Sequence, residues 1–418
     1  MKNSVHDSIK RIFVNFSHLA FGEFASKAFG FLTTIYLARV LGAEGFGKYG
    51  FVTTISAYAS LFSNFGIDQY AAQRLSLGSI EQKETFVQQV LITRFGLSLF
   101  FAALFILLGY SYATTELEFF LFAFQAITIL ALSLNLQFYF VAEKKTITIA
   151  LIKTLISLAI LLFTLLFVSG YIDLPKVTLI HGVVTLIVYL VAVLYFFPVW
   201  RERIQLPSLR RMIELLRSAA PLGMSMFMVQ IYYSADIVFL GFTNPGIELG
   251  YYTGAYKIIL ILTIIPPLVY MAFLPELAKI QAHHFQNRVT VLYTRVLILS
   301  GAIVSILFYI FASHIVVLVL GSEYLPATGV FRILLVNVFL VFVNVALAHL
   351  FIAWNQHKKY FVIVSSGAVA NILANVVLIP LYGIYGAAVA TVIAEGAVCV
   401  TALYYHHSLF GLMSRETT

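Results

Sequence analysis

Twelve apolar stretches, each about as long as a bilayer is thick, follow one another along this chain with very short polar connections. They run 12–41, 49–72, 86–110, 118–142, 147–169, 177–198, 218–242, 251–274, 289–312, 328–353, 360–380 and 383–405. A spanning helix needs about 20 mainly apolar residues at ~1.5 Å rise each. Hydrophobic residues make up 61% of the chain and charged residues 11%, against an apolar share of roughly 45–50% in soluble domains. No soluble fold has enough polar surface to cover such a chain. The pattern therefore predicts an all-α polytopic membrane protein with twelve transmembrane helices, whose function is carried out inside the membrane. The first stretch is too long, and too soon followed by another, to be a cleaved leader. One cysteine, Cys399, offers no disulfide, zinc or iron–sulfur chemistry, and no metal site is expected.

The net charge of +8 is a topology signal here, because the cations lie on alternate connections. Lys2, Lys10, Arg11, Arg74, Lys83, Lys144 and Lys145 fall on one side, as do Arg201, Arg203, Arg210, Arg211, Arg217, Lys279, Arg288, Lys358, Lys359 and Arg415. Opposite loops hold only Lys48 and Lys176. Under the positive-inside rule both termini are expected in the cytoplasm. A nucleic-acid partner is not expected.

Six stretches precede and six follow the arginine-rich segment at 201–217, so the expected domains are 1–200, a cytoplasmic linker at 201–217, and 218–418. Within the linker, the amphipathic stretch Leu209–Leu216 is expected in the inner interface. Gly47-Lys48-Tyr49 matches Gly250-Tyr251-Tyr252 at an offset of 203 residues (250 − 47), a weak internal repeat. An even number of spans per half puts the repeat axis along the membrane normal. The outer segment Ser313–Ala327 is partly apolar and is expected to lie along the outer surface. The aspartates Asp7, Asp68, Asp173 and Asp236 are too scattered for the paired acids of a metal-dependent transferase.

An ionisable group inside a spanning helix costs ~2.5–3.5 kcal/mol on insertion scales, so each one calls for a reason. Glu23 and Lys27 sit one turn apart in the first span, with Gly30 and Thr34 continuing their face. They are either a self-neutralising pair or the lining of a cavity that attracts an anion. Asn64, on the polar stripe Thr53, Ala57, Ser60, Asn64 and Asp68 of span two, is either helix–helix glue or part of a wet wall. Lys257 and Arg332 either snorkel to outer headgroups or line a lumen. Arg94, Lys153 and Arg295 lie near inner span ends and read as snorkelling anchors. Asp236 and Glu395 are acids without an evident partner; they either pair with Lys257 or Lys27, or couple transport to H+ or Na+. No other cofactor is expected. Pro266-Pro267 must bend or break span eight and is a candidate hinge.

Ala38-Arg39-Val40-Leu41-Gly42 followed by Phe46-Gly47-Lys48-Tyr49-Gly50 resembles the first hairpin of bacterial polysaccharide exporters. Gly321-Ser322-Glu323-Tyr324 resembles their outer loop, and Leu274-Pro275-Glu276-Leu277 their segment after span eight. With its twelve spans, the whole chain resembles an O-antigen flippase (Wzx-type) of the multidrug/oligosaccharidyl-lipid/polysaccharide exporter superfamily. That resemblance implies two six-helix bundles working by alternating access in the bacterial inner membrane. It implies a flippase, not an enzyme, that moves a polyprenyl-diphosphate-linked oligosaccharide to the outer leaflet beside other membrane lipids, with a polysaccharide polymerase as possible partner. Lys27, Lys257 and Arg332 would then contact the diphosphate or acidic sugars, with Glu23 and Asn64 in the same lining. Two other classes stay open: an ion-coupled drug or cation antiporter of the same superfamily, and a membrane-embedded glycosyltransferase or polymerase, which the short outer loops disfavour.

Overall fold

The computed structural model describes residues 2–78, 83–196, 206–280 and 287–416, with side chains described between 22 and 408. Its helices are α1 (Lys2–Asn64), α2 (Ile67–Ser76), α3 (Lys83–Tyr112), α4 (Glu116–Leu132), α5 (Gln137–Ala142), α6 (Thr146–Phe167) and α7 (Leu174–Phe196). The second half adds α8 (Leu209–Thr243), α9 (Ile247–Leu262), α10 (Ile265–Leu277), α11 (Arg288–Ile310), α12 (Ala312–Leu320), α13 (Thr328–Ala353) and α14 (His357–Glu416). Among the described residues no strand occurs. This follows from the bilayer as solvent, where a helix satisfies its own backbone hydrogen bonds and an open strand cannot.

Among the described residues, ten helical stretches are long and apolar enough to cross a membrane, and two of them, Gly22–Asn64 (43 residues) and His357–Ser408 (52 residues), hold two span lengths each. Each of these two contains one non-helical glycine, Gly42 (φ 69°) and Gly383 (φ 54°). A positive φ is open to glycine and strained for other residues, so the chain turns there without a long loop. Counting those two stretches twice gives the twelve spans read from the sequence.

The chain forms two compact units: Met1–Leu41 with Phe51–Phe227, and Gly42–Gly50 with Met228–Thr418. These differ from the domains drawn on the sequence at two segments. Residues 218–227 pack with the first unit, because α8 runs unbroken from Leu209 and its Gly223 meets the backbone of Phe65 (2.5 Å from an added Cβ). Leu209–Leu216 is accordingly the first two turns of a long helix and not a separate interfacial one; residues 201–205 of the expected linker lie outside the described residues. The outer segment expected along the surface folds into α12 and a 3-10 helix at Ser322–Ala327, with Val316, Leu320, Tyr324 and Ala327 buried.

The second departure, Gly42–Gly50, explains the sequence repeat. A Cβ on Gly47 would lie 2.6 Å from the Gly250 nitrogen and 3.1 Å from the Gly246 oxygen. Reciprocally, a Cβ on Gly250 would lie 1.8 Å from the Ala43 oxygen. Residues 43 and 47 thus meet residues 246 and 250, their own repeats at the 203-residue offset, so the repeated glycines let two backbones touch. The Glu323 carboxylate accepts from the Ala43 N–H at 2.9 Å, the Tyr324 hydroxyl donates to the Gly42 carbonyl at 3.2 Å, and buried Phe46 packs edge-on to Tyr324.

Candidate functional site

Within the second unit, α13 is the most buried spanning helix, and one of its sides opens onto a cavity of about 150 Å³. Tyr232 and Tyr233 of α8, Tyr256 of α9, His349 of α13 and Glu395 of α14 line it, with Asn337, Asn371 and Thr391 among the remaining polar groups. The Glu395 carboxylate accepts from Asn344 Nδ2 at 2.5 Å, and Tyr232 also hydrogen-bonds it. Asn344 Nδ2 reaches the Glu395 backbone oxygen as well, at 2.9 Å. Buried Asp236 accepts from the Tyr252 hydroxyl and from the Ile237 N–H at 2.8 Å. Tyr252 in turn lies 3.4 Å from Thr391 Oγ1, a cavity residue, and stacks on Tyr256.

Both acids are therefore held by neutral donors, and among the described residues neither forms an ion pair. Among the described residues, the pairing with Lys257 that the sequence left open does not occur. Buried oxygens of Asn337, Asn344 and Asn375 and the Nδ1 of His349 have no hydrogen-bond partner among the described residues. Such groups are costly when left dry, so a polar cavity beside them suits water or a small cation.

Lys257 is half-buried on α9, without an ion pair among the described residues, and it does not line this cavity although Tyr256, Ile259 and Leu260 do. Arg332 does not line this cavity either. It is exposed on α13 beside exposed Val336, and its guanidinium lies 5.4 Å from the ring centre of exposed Tyr309. That places it on the side of α13 away from Asn337 and Val341. The proline pair does break span eight: α9 ends at Leu262, a two-residue turn follows, and α10 begins at Ile265. Pro267 borders the cavity, next to that break.

In the first unit, Glu23 sits between two lysines. Lys27 Nζ is 3.8 Å from Oε1, and Lys153 Nζ of α6 is 3.0 Å from Oε2. Lys153 is thus not a snorkelling anchor but the cross-helix partner of a candidate site residue. Arg94 departs from the anchor reading too. Its Nη1 meets Asp68 Oδ1 and the Asn135 oxygen, each at 2.9 Å, while Nη2 donates to the Leu132 oxygen at 2.5 Å. It neutralises half-buried Asp68 and caps the end of α4. Asn64 is drawn into the same cluster: its Nδ2 donates to Asp68 Oδ2 at 3.1 Å, and its Oδ1 accepts from the Asp68 N–H at 3.2 Å. Its side chain serves the start of α2, and nothing in its contacts brings it to Lys27. Arg295 is exposed, in keeping with an anchor.

Two compact units of long, apolar helices define a polytopic membrane protein. The chain belongs to the polysaccharide biosynthesis protein family, whose model matches residues 12–281. Its fold is similar to a solved lipid II flippase, MurJ, in an inward closed conformation: TM-score 0.76, 15% identity, covering 93% of this chain and 87% of that one. It is also similar to a multidrug resistance MATE family transporter in an inward-facing conformation, with TM-score 0.67, 15% identity, and coverage of 93% and 96%. A further similar structure is a superfamily transporter from Pyrococcus furiosus described as having reversed pocket polarity, at TM-score 0.53, 13% identity and 96% of each chain. No curated protein matches the sequence. At these identities the solved structures establish the fold: that of the multidrug/oligosaccharidyl-lipid/polysaccharide exporters.

Proposed function

We propose that this protein is a flippase that moves a polyprenyl-diphosphate-linked oligosaccharide from the cytoplasmic to the outer leaflet of a bacterial inner membrane. The product feeds O-antigen or another surface polysaccharide through a polymerase, and both termini face the cytoplasm. The observation that carries this reading is the family match over residues 12–281. The chemistry agrees with it: the diphosphate needs cations, the sugars need a wet path, and the lipid tail can remain in the bilayer. Lys27 in the first unit and Lys257 in the second are the cations we assign to the diphosphate, with Glu23 adjusting the charge at the first. We leave Arg332, beside the Tyr309 ring, and Asn64, bonded to Asp68, out of that assignment.

Transport is coupled to H+ or Na+ at the Asp236 and Glu395 pair, with the Pro266-Pro267 break beside the cavity as hinge. Carboxylates held by neutral donors can exchange an ion without leaving a buried countercharge unpaired. The same acids favour a second reading, an ion-coupled cation antiporter. The test is reconstitution: proteoliposomes holding the purified protein and a fluorescent polyprenyl-diphosphate oligosaccharide in one leaflet, with access of a quencher to the other leaflet read over time. Accelerated exchange supports the flippase. Exchange no faster than in empty liposomes, together with uptake of an organic cation driven by an ion gradient, overturns it in favour of the antiporter.

A further inference from the structure

Lys153 was not among the sequence candidates, yet its position relative to lipid is defined by its own helix. Leu151, Leu155, Leu162 and Leu166 of α6 are exposed and form one apolar stripe. At roughly 100° per residue, Lys153 lies on the opposite side, sharing its face with buried Ile149, Ile160 and Thr164. On that face it should be covered, but 33% of its side chain is exposed, and its partner Lys27 is 49% exposed. Both lysine side chains are therefore part-exposed on the side of α6 turned away from its leucine stripe.

The packing around Glu23 holds the two lysines close together. A Cβ on Gly22 would stand 2.2 Å from the Ala150 Cβ, so α1 and α6 touch one turn inward of the lysines. Ser26 and Ser157 hydrogen-bond across the same crossing at 2.7 Å, and Thr154 donates to the Gly22 carbonyl at 3.4 Å. Each Glu23 oxygen faces a different lysine, leaving one net positive charge. A carboxylate in need of neutralisation requires one lysine; a second, spare cation would cost ~2.5–3.5 kcal/mol at spanning depth. Lys27 at 3.8 Å is, moreover, outside hydrogen-bond distance, so its donors are uncommitted to Glu23.

We infer that Glu23, Lys27 and Lys153 form one anion-exchange site for a diphosphate group, in which Glu23 occupies the place of the ligand until the ligand displaces it. Lys153 is then a binding residue on a par with Lys27, and Glu23 a competitor that lowers affinity and lets the ligand leave. This rests on the flippase reading and deepens it by naming the group that binds and the side chain that yields.

The test uses the full chain in nanodiscs of neutral lipid, with farnesyl diphosphate as probe, inorganic pyrophosphate as the free anion, and phosphatidylglycerol as the anionic headgroup. Lys153→Ala and Lys27→Ala should each weaken farnesyl diphosphate binding about tenfold or more, the loss of one charge-assisted contact. Glu23→Gln should instead tighten it several-fold, which a merely structural salt bridge would not do. It also needs no loss of packing, so it answers for any lysine variant that fails to fold. Competition by pyrophosphate but not by phosphatidylglycerol supports a diphosphate site; equal competition by phosphatidylglycerol assigns the lysines to bulk lipid and overturns it. Wild-type binding that is unchanged in Lys153→Ala and Glu23→Gln overturns this inference while leaving the flippase reading intact. Absence of any binding to wild type removes both.

Discussion

Glu23 in the first unit has a lysine on each oxygen, whereas Glu395 in the second is held by an asparagine and a tyrosine. Both are carboxylates at spanning depth, but they answer the cost of the bilayer differently. The Glu23 cluster keeps cations that can change partners, is half-exposed, and carries an excess of positive charge. Glu395 and Asp236 are buried and held by neutral donors, and Glu395 lines a cavity. On the proposed function, the contrast separates two tasks: a site whose fixed charges attract an anionic load, and a site whose own charge can be cancelled by a small cation.

The strongest way to break the contrast is Lys27→Ala. Surface polysaccharide should be abolished while membrane levels of the protein stay normal, and Lys27→Arg should recover part of it, because charge matters more there than shape. Near-normal export would reduce the pair to a salt bridge that merely tolerates the membrane. Next come Asp236→Asn and Glu395→Gln, which preserve the hydrogen-bonded shape. Each should insert normally and slow gradient-driven flipping about tenfold or more, with the dependence on the external ion removed. Flipping by both that still follows the ion gradient would take the second unit's acids out of coupling. A smaller effect is expected at the repeat. Gly250→Ala should lower stability by about 1–3 kcal/mol through overpacking, read as a lower thermal midpoint. Gly30→Ala, where an added Cβ meets nothing within 4 Å, should leave it unchanged.

The spans were legible because each must cross the same thickness, which only a long apolar run can do. Where two spans meet at a single glycine, as at Gly42 and Gly383, the sequence showed twelve and the helix geometry merged them into ten. The repeat at Gly47 and Gly250 was visible as a pattern, but its meaning was a contact between residues 203 positions apart, which no local signal carries. Lys153 was missed for a physical reason. Depth counted from the edges of apolar runs put Lys27 near mid-membrane and Lys153 near the inner end, yet both reach one carboxylate. The run around Lys27 extended too far inward to measure depth. Counting back from the outer helix ends, at Leu41 and Phe167, places both lysines 14 residues in (41 − 27 and 167 − 153) and would have paired them. For Arg332 the sequence left two options open, since a cation's depth says nothing about which side of its helix it occupies. Asn344 and Tyr232 carried no signal until α13, α8 and α14 were packed together.

The division of labour itself is tested by measuring farnesyl diphosphate affinity in the Asp236→Asn, Glu395→Gln double variant beside Lys27→Ala. The account requires wild-type affinity in the double variant and a loss of about tenfold or more in Lys27→Ala. Affinity lost in the double variant and kept in Lys27→Ala would contradict it, placing the anionic load in the second unit and leaving the lysines of the first as structural pairs.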